Sequence, residues 1–238
     1  DHGDMESYES GFSPLRIDSR LFKLRYEAEI LFVVFGGAEV NGCSLRILEM
    51  LKDSKITILY IDPDSDLLTK RQRMNNRISL GVLQEYARSG MFDMLYIVSE
   101  VEIKKAMGEV SLLGYDDKLA DYLVSTFGMF NYFLHSDPIR KVEKEIKKGL
   151  RIGTLGFFQM GDSREELCLA PLSDIKQKVY YYGLTSEEIS NPGLMTEIRE
   201  QLSRQKETGF DCSYEVHEID GYHNSTILCA YTDYTQQV

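Results

Sequence analysis

A glycine-containing turn is the clearest candidate for chemistry in this sequence. The apolar run Glu29–Phe35 is followed by the stretch Gly36–Gly42, which reads GGAEVNG. Glycines in such a turn allow backbone N–H groups to face an anion, and the N-terminus of a following helix favours negative charge. The turn is therefore a candidate phosphate-binding loop. The residues expected to contact a bound phosphate are Gly36, Gly37, Asn41 and Gly42.

Two side chains in the same turn oppose phosphate binding. Val40 is poorly suited to a backbone angle φ above 0°, and Glu39 brings a negative charge. Two like charges ~4 Å apart repel by ~1 kcal/mol in water and by several times more in a drier site. A pair of glycines is also a weak motif by itself. Two other interpretations therefore stay open: a turn that only joins a strand to a helix, and a Rossmann-like module that binds a small anion.

The histidines and cysteines form no recognisable metal site. His135 precedes an expected helix start and is interpreted as structural or exposed, while His217 and His223 flank the expected turn between the last two strands. The cysteines lack C-x-x-C spacing, so we expect free thiols, a reducing compartment and no metal. They are Cys43, Cys168, Cys212 and Cys229.

The acidic composition argues against several partners. The 238 residues include 38 acidic and 27 basic ones, for a formal charge of -11. Such a balance repels nucleic-acid backbones and anionic lipid heads. The longest apolar run, Ile30–Phe35, is far shorter than the ~20 residues of a membrane-spanning helix, and no signal-peptide pattern is visible. We expect no nucleic-acid or membrane partner, and a cytoplasmic location or incorporation in a viral particle.

Hydrophobic periodicity predicts an α/β fold whose first half is a three-layer, mostly parallel sheet. Apolar strands, each expected to be buried on both faces, alternate with helices. A long helix with a regular apolar stripe follows at 115–133. The predicted strands of the first half are 29–35, 55–61 and 92–98, and its predicted helices are 43–51, about 64–87, and 101–106.

The second half is predicted to be a smaller α+β domain with a mixed sheet. A connecting helix is expected from Asp137-Pro138 to Gly149, because proline suits the first helical turn. The last two strands are expected to form a hairpin around Gly221. The remaining predictions are strands at 150–159, 166–172, 176–182, 210–219 and 224–231, and a helix over 186–205 interrupted at 191–193.

These patterns divide the chain into four segments. Residues 1–28 begin with polar residues and are predicted to be a flexible N-terminal arm. Residues 29–114 form a Rossmann-like, partial nucleotide-binding-type domain. Residues 115–149 are the central helix and the connecting helix, and residues 150–238 are the C-terminal α+β domain.

The order of these elements, together with short sequence matches, resembles the tubulin/FtsZ superfamily. Gly36–Gly42 stands where that family has its glycine loop, GGGTGTG. The other matching segments are 70–74 (KRQRM) with Gly81 and Leu83 for a basic helix opening, 94–98 (MLYIV) for the strand TLIVI, and 149–153 (GLRIG) for the start of the second sheet. The resemblance covers about residues 29–235, and it implies the family's fold, GTP as cofactor and head-to-tail assembly.

The resemblance also implies a catalytic loop and a base contact, and both are altered here. The family's acidic loop reads approximately NxDxxD. Asn131 and Asp137 can take its outer positions, but Phe133 or Leu134 stands at the middle acid. Glu100 takes the place of a base-contacting Asn. The family has about 100 residues before its glycine loop, against 35 here, so the nucleotide site is expected to be incomplete.

We therefore interpret the sequence as a non-catalytic, pseudo-GTPase subunit of a filament or larger particle. It is expected to self-associate or to join other protein subunits without a cofactor. The alternative is a divergent GTPase of the phage or plasmid type that polymerises with GTP. In that case Asn131 and Asp137 would be catalytic, and the nucleotide would be held by Gly36, Gly37, Asn41, Gly42 and Glu100.

Overall fold

A computed structural model of the chain describes residues 4–13, 29–142, 146–160, 166–206, 209, 211–219 and 225–237. The chain divides into two units. Unit 1 contains Asp1–Val101, Gly149–Gly153 and Asp233–Val238, and unit 2 contains Glu102–Lys148 and Thr154–Thr232. The four segments expected from the sequence, with boundaries at 28/29, 114/115 and 149/150, stay a prediction.

Unit 1 contains a parallel sheet with helices. Its strands are β1 (Glu29–Phe35), β2 (Lys55–Asp62), β3 (Met94–Ser99) and the first residues of β5 (Ile152–Phe158). They are ordered β1-β2-β3-β5, and every pairing among them is parallel. The helices of this unit are α1 (Met5–Gly11), α2 (Ser44–Met50), α3 (Lys70–Ser89) and the start of α4 (Glu100–Met107).

The strands of unit 1 differ in burial. Ile56, Ile58 and Tyr60 of β2 are fully buried, as expected for a strand between two parallel neighbours. In β1 the exposure alternates, and Leu31 and Val33 are about half exposed. The prediction that β1 is buried on both faces is therefore wrong. Apolar composition alone does not show which face of a strand is covered.

Local sequence signals account for the limits of α3. Thr69 and Gln72 form a capping box, in which each side chain accepts a hydrogen bond from the other residue's backbone N–H. The helix ends at Gly90, whose φ of 85° is a conformation that favours glycine. Leu80, Leu83 and other apolar residues of one stripe are buried. The predicted long helix is confirmed.

Unit 2 contains the long helix α5 (Tyr115–His135) and a mixed sheet. Its other elements are β4 (Arg140–Val142), β6 (Glu166–Cys168), β7 (Gln177–Leu184), α6 (Ser186–Ile189), α7 (Leu194–Lys206), β8 (Asp211–Glu218) and β9 (Ser225–Thr232). The strand order is β5-β9-β7-β8-β4, with β6 paired to β5. Strand β7 is parallel to β8 and antiparallel to β9.

Aromatic side chains hold α5 against β7. The Phe133 ring stacks on the Tyr181 ring with centroids 5.7 Å apart and planes 8° apart. A Cβ at Gly183 would lie 2.9 Å from the Phe133 ring, which is too close for an unstrained contact. Glycine at this position allows the helix to approach the sheet.

Two predictions in the second half are wrong. Residues 140–142 form a strand antiparallel to β8, where a helix from 137 to 149 was expected. The Ile139 N–H donates to the Val216 carbonyl over 2.8 Å, so pairing with β8 overrides the local helix signal. The expected hairpin of β8 and β9 does not form either, because β7 lies between these two strands. Gly221 lies outside the described residues.

The C-terminal residues 233–237 return to unit 1, where α3 holds them. The Gln84 side chain donates to the Gln236 carbonyl over 3.0 Å and accepts from the Gln236 N–H over 2.5 Å. Gln84 is only 2% exposed. One buried side chain therefore pairs with the backbone of the tail as a neighbouring strand would.

Replacing Gln84 should release this tail. We expect Gln84→Ala to lower the free energy of unfolding by about 1–3 kcal/mol, since two hydrogen bonds to backbone groups are lost. Carboxypeptidase should also remove residues 233–238 faster than in the unmodified protein. Gln237→Ala, at an exposed neighbouring position, is the control. Equal digestion rates for the two variants would contradict the role of Gln84.

Candidate functional site

The candidate site in unit 1 is the loop that follows β1. The Gly36 N–H still donates to the Ile61 carbonyl over 2.9 Å, so the chain leaves the sheet at this residue. A Cβ on Gly36 would overlap the side chains of Asn76, Pro63 and Tyr60. Gly37 has a φ of 77°, which disfavours residues with a side chain. Both glycines are thus required by the turn and by packing.

A buried polar network lies beneath Gly36. The Tyr60 hydroxyl donates to the Asn76 side-chain oxygen over 2.6 Å, and the Asn76 amide donates to the Asp62 carboxylate over 2.8 Å. Burial, with a smaller contribution from the Asp62 charge, raises the pKa of Tyr60. Burial also raises the pKa of Asp62, against the lowering effect of the Asn76 hydrogen bond. This network fixes the position of α3 under the loop.

The middle of the loop forms a 3₁₀ turn, Glu39–Cys43, whose side chains contact the protein itself. Glu39 forms an ion pair with Arg71 over 3.2 Å. The Asn41 amide donates to the Phe35 carbonyl over 2.6 Å, and Asn41 is buried. The Asn41 side chain therefore links the 3₁₀ turn to Phe35, the last residue of β1. Arg71, at the start of α3, has a carboxylate partner inside the loop.

The end of the loop is covered by α1. Gly42 is buried, and a Cβ on it would overlap the Met5 carbonyl. The neighbouring Cys43 thiol donates to the Tyr8 carbonyl over 3.0 Å. The prediction of a flexible arm over 1–28 is therefore wrong for residues 5–11, because these contacts and an N-cap hold them as a helix. Residues 14–28 lie outside the described part of the chain.

Glu100 begins α4 and lies beside the turn that follows β2. Its carboxylate accepts a hydrogen bond from the Asp64 N–H over 3.2 Å. Unit 1 therefore brings together five of the candidate residues at the ends of its parallel strands, although Glu100 contacts backbone in this arrangement. The candidates placed in this unit are Gly36, Gly37, Asn41, Gly42 and Glu100.

The two candidate catalytic residues lie in unit 2, at the end of α5 and beyond it. Asn131 and Asp137 are both exposed. The backbone carbonyl of Asn131 is 2.9 Å from Nδ1 of His135, which gives that histidine a helix-terminal contact. The Ser136 hydroxyl lies 2.8 Å from Nδ1 of His217. Ser136 thereby fixes the start of the loop that carries Asp137.

Within the described ranges, no three His, Cys, Asp or Glu side chains lie close enough together to hold a metal ion. None of the described helices is both long and apolar enough to cross a membrane.

Unit 2 contains a cavity of about 870 Å³ between α5 and the ends of β8 and β9, lined by Tyr122, Thr126, Met129, Tyr132, Ile219 and Ile227 among others.

The architecture of this chain is similar to that of several solved structures. No protein-family model matches the chain, and no curated protein matches it significantly. A structure of an empty FtsZ dimer from M. jannaschii matches with a TM-score of 0.67 and 12% identity, covering 97% of this chain and 70% of that one. A GTPγS-form protofilament of TubZ from Bacillus thuringiensis serovar israelensis matches with a TM-score of 0.64 and 9% identity, covering 98% and 71%.

A third solved structure, from Haloferax volcanii, also matches. GDP-bound monomeric CetZ1 from Haloferax volcanii matches with a TM-score of 0.61 and 16% identity, covering 87% of this chain and 65% of that one. The chain therefore has the fold of the tubulin/FtsZ superfamily. Because the sequence identities are only 9–16%, the similarity concerns the fold.

Sequence reasoning missed several partners of the glycine loop. The segment 70–74 is basic, but nothing in it shows that Arg71 pairs with Glu39. Tyr60 and Asn76 also gave no signal, because they lie far from the loop in sequence. The seven residues of α1 are too few and too polar to show helical periodicity.

Asp62 provides a test of the network beneath the loop. A folded-state pKa above the ordinary value of 3.8 means that the folded protein binds this proton more tightly than the unfolded chain. Stability should therefore fall as the pH rises from about 4 through the folded pKa, and the loss should persist at pH 7. Asp62→Asn keeps an oxygen that accepts from Asn76 and carries no charge, so it should raise Tm at pH 7.

Thermal melts at pH 4 and pH 7 check this expectation. The difference in Tm between Asp62→Asn and the unmodified protein should be larger at pH 7 than at pH 4. Asp66→Asn, which removes an exposed carboxylate from the adjacent 3₁₀ turn, is the control. A lower Tm for Asp62→Asn at pH 7 would show that the ionised carboxylate stabilises the network.

Proposed function

We propose that this chain is a tubulin/FtsZ-like structural protein that assembles into a filament or larger particle without hydrolysing nucleotide. The main support for this proposal is that the glycine loop is occupied by contacts with other residues of the same chain. Asn41 binds the Phe35 carbonyl, Glu39 pairs with Arg71, and Met5 covers Gly42. A phosphate loop needs free backbone N–H groups and a cationic surrounding.

The charge of the loop supports the same proposal. A polyphosphate placed against this turn would meet the Glu39 carboxylate, and Arg71 already has that carboxylate as its partner. Releasing Arg71 for a phosphate would leave Glu39 beside the anion. The pair is partly exposed, at 51% for Arg71 and 29% for Glu39, so its loss alone costs little. The main obstacle is the like charge.

Assembly is supported by the known structures of this fold and by exposed apolar residues. The FtsZ match is a dimer and the TubZ match is a protofilament. In unit 1, Leu67 and Met74 are 72% and 56% exposed. In unit 2, Leu134 and Ile139 are 52% and 54% exposed. We propose that the glycine-loop face of one subunit contacts the Asn131–Asp137 region of the next, a heterologous contact that gives open polymers.

The alternative function is a divergent GTPase that polymerises with GTP. It is favoured by the GTPγS and GDP forms of the TubZ and CetZ1 matches, and by the exposure of Asn131 and Asp137. In that case one subunit would supply these side chains to a nucleotide held by its neighbour. The nucleotide would be bound through Gly36, Gly37, Asn41, Gly42 and Glu100.

Nucleotide binding distinguishes the two functions. We expect no binding of labelled GTP or GDP with Mg²⁺ at sub-millimolar concentration, together with sedimentation that increases with protein concentration. Asp137→Ala should leave the absence of nucleotide binding unchanged, because the proposal gives this carboxylate no catalytic role. If the chain is a GTPase, turnover will be measurable and Asp137→Ala will reduce it about a hundredfold or more, as for other positioned catalytic groups.

Ile139, an exposed apolar residue two positions beyond Asp137, tests the subunit contact. Ile139→Glu should reduce the sedimenting fraction severalfold, because a charge in an apolar contact loses buried area and carries a desolvation cost. Val124→Glu is the matched control, since Val124 is 71% exposed and lies near the middle of α5. Far-UV circular dichroism should show that both variants fold. Equal sedimentation of the two variants would place the contact elsewhere.

A further inference from the structure

The N-terminal helix contacts the glycine loop at successive positions. Met5 lies against Gly42, and the Tyr8 carbonyl accepts a hydrogen bond from the Cys43 thiol over 3.0 Å. The next residue, Glu9, forms an ion pair with Arg46 of α2 over 3.1 Å. The helix therefore follows the loop from its last glycine to the first turn of α2. This is a continuous surface and not a single chance contact.

Gly42 is the residue that allows this approach. A Cβ there would meet the carbonyl oxygen, the carbonyl carbon and the Cα of Met5. All three are backbone atoms, so no side-chain rotation would relieve the overlap. The last glycine of the candidate phosphate loop is thus adapted to the backbone of α1. That explanation of the glycine requires no bound anion.

The contact is built mainly from polar groups. No residue of α1 is buried, and the side chains of Glu9 and Arg46 are each about half exposed. The helix has seven residues, too few to be stable alone in water. Its first turn depends on Asp4, which accepts hydrogen bonds from the Ser7 N–H and hydroxyl over 2.8 Å and 2.6 Å. Such a helix can leave its surface without unfolding the sheet.

We propose that α1 is a displaceable, built-in ligand of the glycine loop, a short acidic helix that covers the surface through which a phosphate would approach. In this arrangement the loop binds a segment of its own chain instead of a nucleotide. Departure of α1 would expose Gly42 and Cys43 and open this face to another occupant. The proposal concerns the same loop as the proposed function and adds a regulated contact to it.

Cys43 reports directly on the position of α1. Its thiol is half-buried and donates to Tyr8 while α1 is bound. Burial, with a smaller contribution from the Glu9 carboxylate, raises the pKa of the Cys43 thiol. The hydrogen bond to Tyr8 and the raised pKa both suppress formation of the reactive thiolate. Alkylation of Cys43 in the full chain by iodoacetamide, followed by digestion and mass spectrometry of the peptide that contains Cys43, therefore measures how often α1 leaves the loop.

Two variants change the contact from opposite sides. Gly42→Ala places a methyl group against the Met5 backbone and should speed alkylation of Cys43 about five- to a hundredfold, the range expected from overpacking. Asp4→Ala removes the N-cap and should speed it about two- to thirtyfold. Gly11→Ala is the matched control, because a Cβ at Gly11 meets nothing within 4 Å. Its rate should stay within about twofold of the unmodified protein.

The outcomes are separable from those of nucleotide binding. Faster alkylation in Gly42→Ala and Asp4→Ala, with Gly11→Ala unchanged, supports α1 as the ligand of the loop whether or not GTP binds. Alkylation of the unmodified protein as fast as in urea, or no acceleration in Asp4→Ala, would overturn the proposal. If Gly42→Ala fails to fold by circular dichroism, the exposed-site variant Asp4→Ala decides alone.

Discussion

The close approach at Gly36 is the constraint on which the arrangement of unit 1 depends. Three side chains, from Tyr60, Pro63 and Asn76, occupy the space where a Cβ would stand. This approach brings the end of β1, the end of β2 and α3 to one point. The turn at Gly37, the 3₁₀ turn and the contact with α1 all follow from where the chain leaves this point. A larger residue at Gly36 would separate the loop from α3.

The glycines of the loop therefore have structural reasons that are independent of phosphate. Gly36 allows packing, Gly37 has a positive φ, and Gly42 accommodates the backbone of Met5. A phosphate-binding loop uses glycines to turn N–H groups outward, whereas here the Asn41 amide and the Cys43 thiol donate to carbonyls of the chain itself. The same residue type at the same place in the fold can thus serve recognition of an anion or recognition of a helix. Glu39 and Arg71 fit the second use better, because they already neutralise each other.

In unit 2 a glycine likewise permits two elements to approach closely. Gly183 in β7 permits Phe133 of α5 to lie against the sheet, and Phe133 stacks on Tyr181. The buried Lys178–Glu166 pair, at 2.6 Å, is also bonded by the Tyr180 hydroxyl. A buried pair of this kind requires every partner to be present, because an unpaired charge in such a place is costly. The core of this unit is therefore specified by polar as well as apolar contacts.

Elements whose signals are local could be predicted from the sequence alone. The parallel strands of unit 1, the long helices α3 and α5, and the break at Asn191-Pro192-Gly193 follow from apolar periodicity, caps and turn residues, and the structure confirms them. The position of the glycine loop at the end of β1 follows from the same pattern. These features depend on interactions between residues that are close in the chain, which is why a sequence can reveal them.

Which surfaces meet depends on contacts between distant parts of the chain. The strand at 140–142 forms because β8 offers an edge, and β8 and β9 are separated because β7 lies between them. The partners of the glycine loop come from α1, β2 and α3, and no periodicity marks Met5, Tyr60 or Arg71 as its neighbours. Such contacts depend on chain segments distant in sequence, whose approach is fixed by packing of the whole unit. The physical reason is that a residue's type sets what it can bind, whereas the fold alone sets what lies within reach.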